Sequence, residues 1–181
     1  MSRTDTALLV IDVQDKLFNL IPGHARILWN IRRLLDGAKT LGLPARATEQ
    51  YPEKLGPSAK EIAERIAAIP AKRMFSCREC VSLFGSLRGG GISKILLAGI
   101  ETHVCVQQTA FDLLAEGYRV YLAVDAIGSR FEIDREVALR RMESSGATLT
   151  TTEAALFEWC ETSAAPEFKA ISTLVREAGP A

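Results

Sequence analysis

The chain has 181 residues, and its 22 Lys and Arg offset 22 Asp and Glu to leave no formal net charge. That length suits one domain, expected to cover residues 1–181. Hydrophobic residues at 48% exclude a disordered chain, and the neutral balance argues against a nucleic-acid binder, which needs a basic face.

Thr6–Asp12 is an apolar run ending in an acid, as in a strand buried on both faces. Pro22 and Gly23 punctuate a loop; Ile27, Ile31, Leu34, Ala38 and Leu41 then recur at helical spacing until Gly42. Pro44–Thr48 reads as a weak second strand and Glu49–Pro57 as loop. Ser58–Glu61 has the form of a capping box and predicts a short helix with Ile62 and Ile66 inward. Ile69–Phe75 reads as strand or loop, and Cys80–Leu87 as a helix closed by Gly89, Gly90 and Gly91. Lys94–Gly99 is the clearest strand, followed by a helix over Thr102–Glu116 stopped at Gly117. Arg119–Val124 predicts a strand ending at Asp125, Ile133–Ser145 a helix, and Ala147–Thr151 a last short strand. The tail predicts helices over Glu153–Trp159 and Pro166–Glu177. The longest apolar run, Ile95–Ile100, is about a third of a membrane span. Met1–Thr6 carries no cleavable signal pattern, and four cysteines are too sparse for a disulfide framework. Free thiols in a cytoplasmic protein are expected.

Strands separated by helical segments imply βαβ crossovers. The expected fold is α/β: a three-layer αβα sandwich around a mainly parallel, Rossmann-like sheet of about six strands. Ligands in such folds sit beyond the carboxyl ends of the strands. Asp12, Lys72 and Cys105 stand there. A cysteine in the first turn of a helix meets unpaired N–H groups and the positive end of the macrodipole, which favour the thiolate. A nearby lysine adds to that, an aspartate can move the proton, and main-chain amides can hold an oxyanion. These are the parts of acyl transfer through a thioester.

Competing constellations are weaker. His103 is two residues from Cys105, pointing roughly 200° away on a helix, and His24 has no partner in sequence. Cys77 and Cys80 form a lone C-x-x-C without further zinc ligands, leaving a thiol redox sensor as an alternative. The Gly89–Gly91 run follows a helix and precedes a strand, the reverse of a phosphate loop. Cys160 reads as packing.

Three segments in order, Ala7–Gln14, Lys72–Ser76 and Leu97–Val106, resemble the isochorismatase-like cysteine hydrolases over residues 5–160, leaving a helical tail at 161–181. Thr48–Pro52, Val124–Ala126 and Arg141–Ala147 are similar to the nicotinamidase-related, isochorismatase-domain branch. The resemblance implies that fold, with Asp12 as proton acceptor and donor, Lys72 as thiolate and transition-state stabiliser, and Cys105 as nucleophile. It implies a cis peptide joining Ile100 to Glu101, and an oxyanion hole from the N–H groups of Glu101 and Cys105. It also implies a homo-oligomer. Nicotinamidases carry metal-binding histidines after the second strand; Ala47–Pro52 has none, so no metal and no cofactor is expected. Cys105 argues against the vinyl-ether cleavage of true isochorismatases. The expected activity is an amidase-type hydrolysis of a small-molecule C–N bond, with Gln14, Tyr51 and Phe75 as candidate pocket walls and no nucleic-acid or membrane partner. A non-catalytic scaffold of the same fold is the other alternative.

Overall fold

The computed structural model describes residues 1–180. In chain order the elements are β1 (Thr6–Ile11), α1 (Asp15–Phe18), α2 (His24–Leu41), β2 (Ala45–Gln50), α3 (Pro52–Leu55), α4 (Lys60–Ala63) and β3 (Ala71–Lys72). A 3-10 turn (Cys77–Glu79), α5 (Val81–Gly89), β4 (Lys94–Ile100), a π turn (Thr102–Val106) and α6 (Gln107–Ala115) follow. The chain then runs through β5 (Arg119–Gly128), α7 (Glu132–Ser144), β6 (Thr148–Thr150), α8 (Thr152–Cys160) and α9 (Phe168–Val175). The strands form one six-stranded sheet in the order β3-β2-β1-β4-β5-β6, and every ladder is parallel.

Alternation along β1 builds both cores at once. Leu8 and Val10 join the apolar cluster with α2 and α8, whereas Ala7, Leu9 and Ile11 join that with α5, α6 and α7. A strand apolar on both faces must be covered on both, and helices do so here. The expected α/β sandwich is therefore the fold observed. β1 and β4 meet at the centre, where the crossovers change direction, so a crevice opens at their carboxyl ends. Gly99 permits their close approach: its φ is +117°, and a Cβ there would lie 2.1 Å from the Ile11 carbonyl oxygen. Among the described residues no helix is long and apolar enough to cross a membrane.

Several local expectations need correction. Ser58 does not cap a helix; its N–H donates to Glu49 Oε1 (2.6 Å), and α4 opens after Ala59. β5 does not end at Asp125, because pairing with β4 resumes past an irregularity at Leu97/Gly99 and carries the strand to Gly128. The last helix opens at Phe168 instead of Pro166. The helix expected from Thr102 divides into the π turn and α6.

Candidate active site

Three strand ends converge. β1 stops at Ile11, and Asp12 takes a left-handed φ of 54°, a region Asp tolerates better than most residues. Its N–H donates to the Thr48 carbonyl (3.1 Å), so the turn stays tied to β2. Lys72 ends β3 and is paired in register with Gln50 at the end of β2. Cys105 lies in the π turn beyond β4.

The side chains of Asp12 and Lys72 are fully buried and meet at 2.6 Å between Nζ and Oδ2. Thr48 Oγ1 donates to the other carboxylate oxygen (2.9 Å). Lys72 Nζ also donates to Gln50 Oε1 (2.7 Å), the Phe75 carbonyl (2.8 Å) and the Met74 carbonyl (3.2 Å). Four acceptors around an ammonium with three protons leave no N–H free for another partner. Lys72 can therefore reach its neighbours only through its charge and through its bond to Asp12. Cys105 is 5% exposed, and its buried thiol feels the charge of the Asp12 carboxylate.

Burial pushes the Asp12 carboxyl upward, and the charge of Lys72, then its hydrogen bond, with less from Cys105 and Thr48, offset this only in part. Burial opposes the Lys72 charge, but the Asp12 carboxylate outweighs it and raises that ammonium. The Cys105 thiol is pushed well up, by burial first and the Asp12 charge second, against the pull of Lys72. The expectation of a ready thiolate is thus corrected: the resting group is a thiol, because desolvation and a neighbouring carboxylate exceed what the turn's dipole supplies.

The Ile100–Glu101 peptide is cis. The Glu101 carbonyl accepts from the amides of Val104 (3.1 Å) and Val106 (3.2 Å), which shapes the π turn. Its carboxylate is buried against Arg130: Oε1 accepts from the main-chain N–H (3.1 Å) and Nε (2.9 Å), and Oε2 from Nη2 (3.3 Å). Gln14 is fully buried and spends its amide on main chain, accepting from Gln50 N–H (2.8 Å) and donating to the carbonyls of Gln50 (3.0 Å) and Gly56 (2.6 Å). Tyr51 is half-buried beneath the Arg73 guanidinium, 3.9 Å from its ring centre. The Phe75 side chain is exposed, while its carbonyl serves Lys72. His103 shares the turn with Cys105 but pairs with Ser129 Oγ (3.0 Å), and His24 pairs with the Ile21 carbonyl (3.1 Å).

Sequence reasoning missed Thr48, Gln50 and Arg130, and read Cys77 only as half of a C-x-x-C pair. β2 lies between β1 and β3, so polar side chains at its end fall between Asp12 and Lys72; strand order was the signal needed. Cys77 is fully buried, with Sγ 3.5 Å from Thr48 Oγ1. The Thr48 proton goes to Asp12, so the Cys77 thiol is the donor in that contact. Burial, then the Asp12 charge, pushes Cys77 up to about 12. All four cysteines are free and buried. Among the described residues no group of three or more His, Cys, Asp or Glu is placed to hold a metal.

Comparison with known proteins places this geometry in context. The isochorismatase domain model matches residues 6–154. Isochorismatase domain-containing protein 2 of Bos taurus is 38% identical over 173 residues, covering 96% of this chain and 84% of the relative. A structure described as the MAR1 ribonuclease of Caenorhabditis elegans is 37% identical with a TM-score of 0.93, covering 100% of this chain and 94% of the other. The YcaC protein of Escherichia coli, described as an octameric hydrolase of unknown specificity, is 26% identical with a TM-score of 0.87, covering 96% and 88%. The chain belongs to the isochorismatase family.

Proposed function

We propose that the chain is a metal-free cysteine hydrolase that cleaves the C–N bond of a small amide through a thioester. Asp12 takes the proton from the Cys105 thiol as sulfur attacks the carbonyl carbon, and the N–H groups of Glu101 and Cys105 hold the oxyanion. The tetrahedral adduct collapses, the C–N bond breaks, and the amine leaves with the proton from Asp12. Water, deprotonated by Asp12, then hydrolyses the thioester and regenerates the thiol. Lys72 keeps Asp12 aimed and its charge balanced throughout.

The observation that carries this reading is the fully buried Asp12–Lys72 ion pair at the strand ends, with the buried Cys105 thiol in the field of the same carboxylate. A buried ion pair is expensive to build, and replacing it by apolar groups is often neutral or stabilising; chemistry gives it a reason to exist. The central cation is buried and its protons are spent, which suits a neutral carbonyl better than the phosphodiester suggested by the description of the worm relative. Assembly into a homo-oligomer belongs to the same proposal, supported by the octameric YcaC relative.

The test is a screen of small amides with acid-quenched samples read by peptide mass mapping. The expected result is turnover of at least one amide with an acyl adduct on Cys105, both lost in Cys105→Ser while the fold is kept. Adducts confined to Cys77, Cys80 or Cys160, or turnover unaffected by Cys105→Ser, refute it.

A further inference from the structure

The Lys72 ammonium has one neutral side-chain acceptor, which the mechanism above does not use. Gln50 is buried, and its Oε1 is 2.7 Å from Lys72 Nζ. The amide's orientation is forced: Nε2 donates to the Arg73 carbonyl (2.9 Å), so a flipped amide would set an NH2 against an ammonium. Its main chain is gripped on both sides by the Gln14 side chain, at 2.8 Å and 3.0 Å. Two buried glutamines therefore exist in one fixed arrangement whose working end is a carbonyl oxygen against a lysine.

The chemistry of that oxygen is specific. An apolar side chain at position 50 would remove one of the three short contacts of a buried ammonium and so favour the neutral amine. A carboxylate would hold the ammonium but compete with Asp12 for it. A neutral acceptor does neither. We propose that Gln50 is a positioning residue: its side-chain carbonyl keeps Lys72 charged while leaving Asp12 as the carboxylate that receives this charge. The inference rests on the Cys105 nucleophile reading for its role in turnover, but the hold on Lys72 is testable without it. The other ionisable groups around Lys72 are Asp12 from β1, Cys105 from the π turn, and Cys77, Glu79 and Cys80 from the 3-10 turn and its end. None is altered in the variants below.

The experiment is a pH titration of the lysine side-chain ε-carbon resonances by NMR, in the wild-type chain, Gln50→Leu and Gln50→Glu. Losing a charge-assisted hydrogen bond moves the Lys72 midpoint down by about one to two pH units in Gln50→Leu, and a second carboxylate moves it up in Gln50→Glu. A merely structural glutamine would not shift the two variants in opposite directions. The other lysines serve as the folding control, and if Gln50→Leu does not fold, the rise in Gln50→Glu decides. Midpoints that stay together overturn the proposal. Iodoacetamide labelling of Cys105 reads the consequence. At a pH between the Gln50→Leu and wild-type midpoints, the variant labels about tenfold more slowly, since the neighbouring cation is gone. Equal rates there overturn the positioning role. A wild-type Cys105 that never labels sinks the nucleophile reading alone, and the Lys72 midpoints still decide the hold by Gln50.

Discussion

Lys72→Met tests the charged pair at the base of the site. Methionine keeps an unbranched apolar stem and removes the ammonium. Asp12, fully buried, then keeps only the Thr48 hydrogen bond to its carboxylate. Gln50 Oε1 and the Phe75 carbonyl lose a short donor as well. Breaking one side of a buried ion pair costs about 3–5 kcal/mol, and that is the loss expected near pH 8. The carboxylate has an escape, which is to take up a proton. Burial already raises Asp12, and without Lys72 the main opposing influence is gone. Folded Asp12 then holds its proton over a range where the unfolded chain, at about 3.9, has released it. The unfolded state binds fewer protons, so stability falls as pH rises, by about 1.4 kcal/mol per unit for one proton. The deficit relative to wild type should therefore shrink from about pH 8 to about pH 6, read by urea denaturation with far-UV circular dichroism. Adding Asp12→Asn removes the stranded charge and should recover at least half of the loss. A deficit below about 1 kcal/mol, or one that is the same at both pH values, would refute a charged, desolvated pair.

Gly99→Ala should abolish folding or cost more than about 4 kcal/mol, because the new Cβ meets Ile11 main chain at 2.1 Å and the φ is +117°. Gly42→Ala, with positive φ but open space, should cost only about 1–2 kcal/mol in the same denaturation assay. Arg130→Ala frees the buried Glu101 carboxylate and should slow acylation about tenfold with the fold retained, measured by the rate of thioester accumulation; an unchanged rate separates Glu101 from oxyanion binding. Asp12→Asn should speed Cys105 alkylation at neutral pH while abolishing turnover, because the charge that raises the thiol and the base that accepts its proton are one group. In wild type the labelling rate should still be climbing at pH 9, above which the thiol is held; a plateau near neutrality is the contrary result.

Legibility in the sequence followed how local each cause is. β1 and β4 were plain because a strand buried on both faces is a short unbroken apolar run. Asp12 and Cys105 stood out because strand ends carry function in this architecture. α1 and α3 are four residues each, too short to show a period. β3 is two residues long and exists only through its pairing with β2. Ser58 resembled a cap, but a carboxylate nine residues earlier takes its N–H. Thr48 and Gln50 became site residues only because β2 lies between β1 and β3. The thiol was misjudged for a related reason: the dipole of a helix start is a local property, whereas burial and the Asp12 charge depend on the whole fold.

In the proposed reaction, the protonation of the resting site has a chemical use. With Cys105 as thiol, the site holds one carboxylate and one ammonium. After the proton moves from sulfur to Asp12, it holds one thiolate and one ammonium. The net charge is the same in both states, so attack shifts a charge between neighbouring groups instead of creating one in a dry cavity, where an unpaired charge is most costly. A resting thiolate beside an ionised Asp12 would leave an excess negative charge, which burial forbids. Raising both the acid and the thiol brings their proton affinities closer than for an exposed aspartate facing the same buried sulfur. The lysine is common to both states, and for that reason its hydrogen bonds can be fully committed to fixed acceptors without obstructing the reaction.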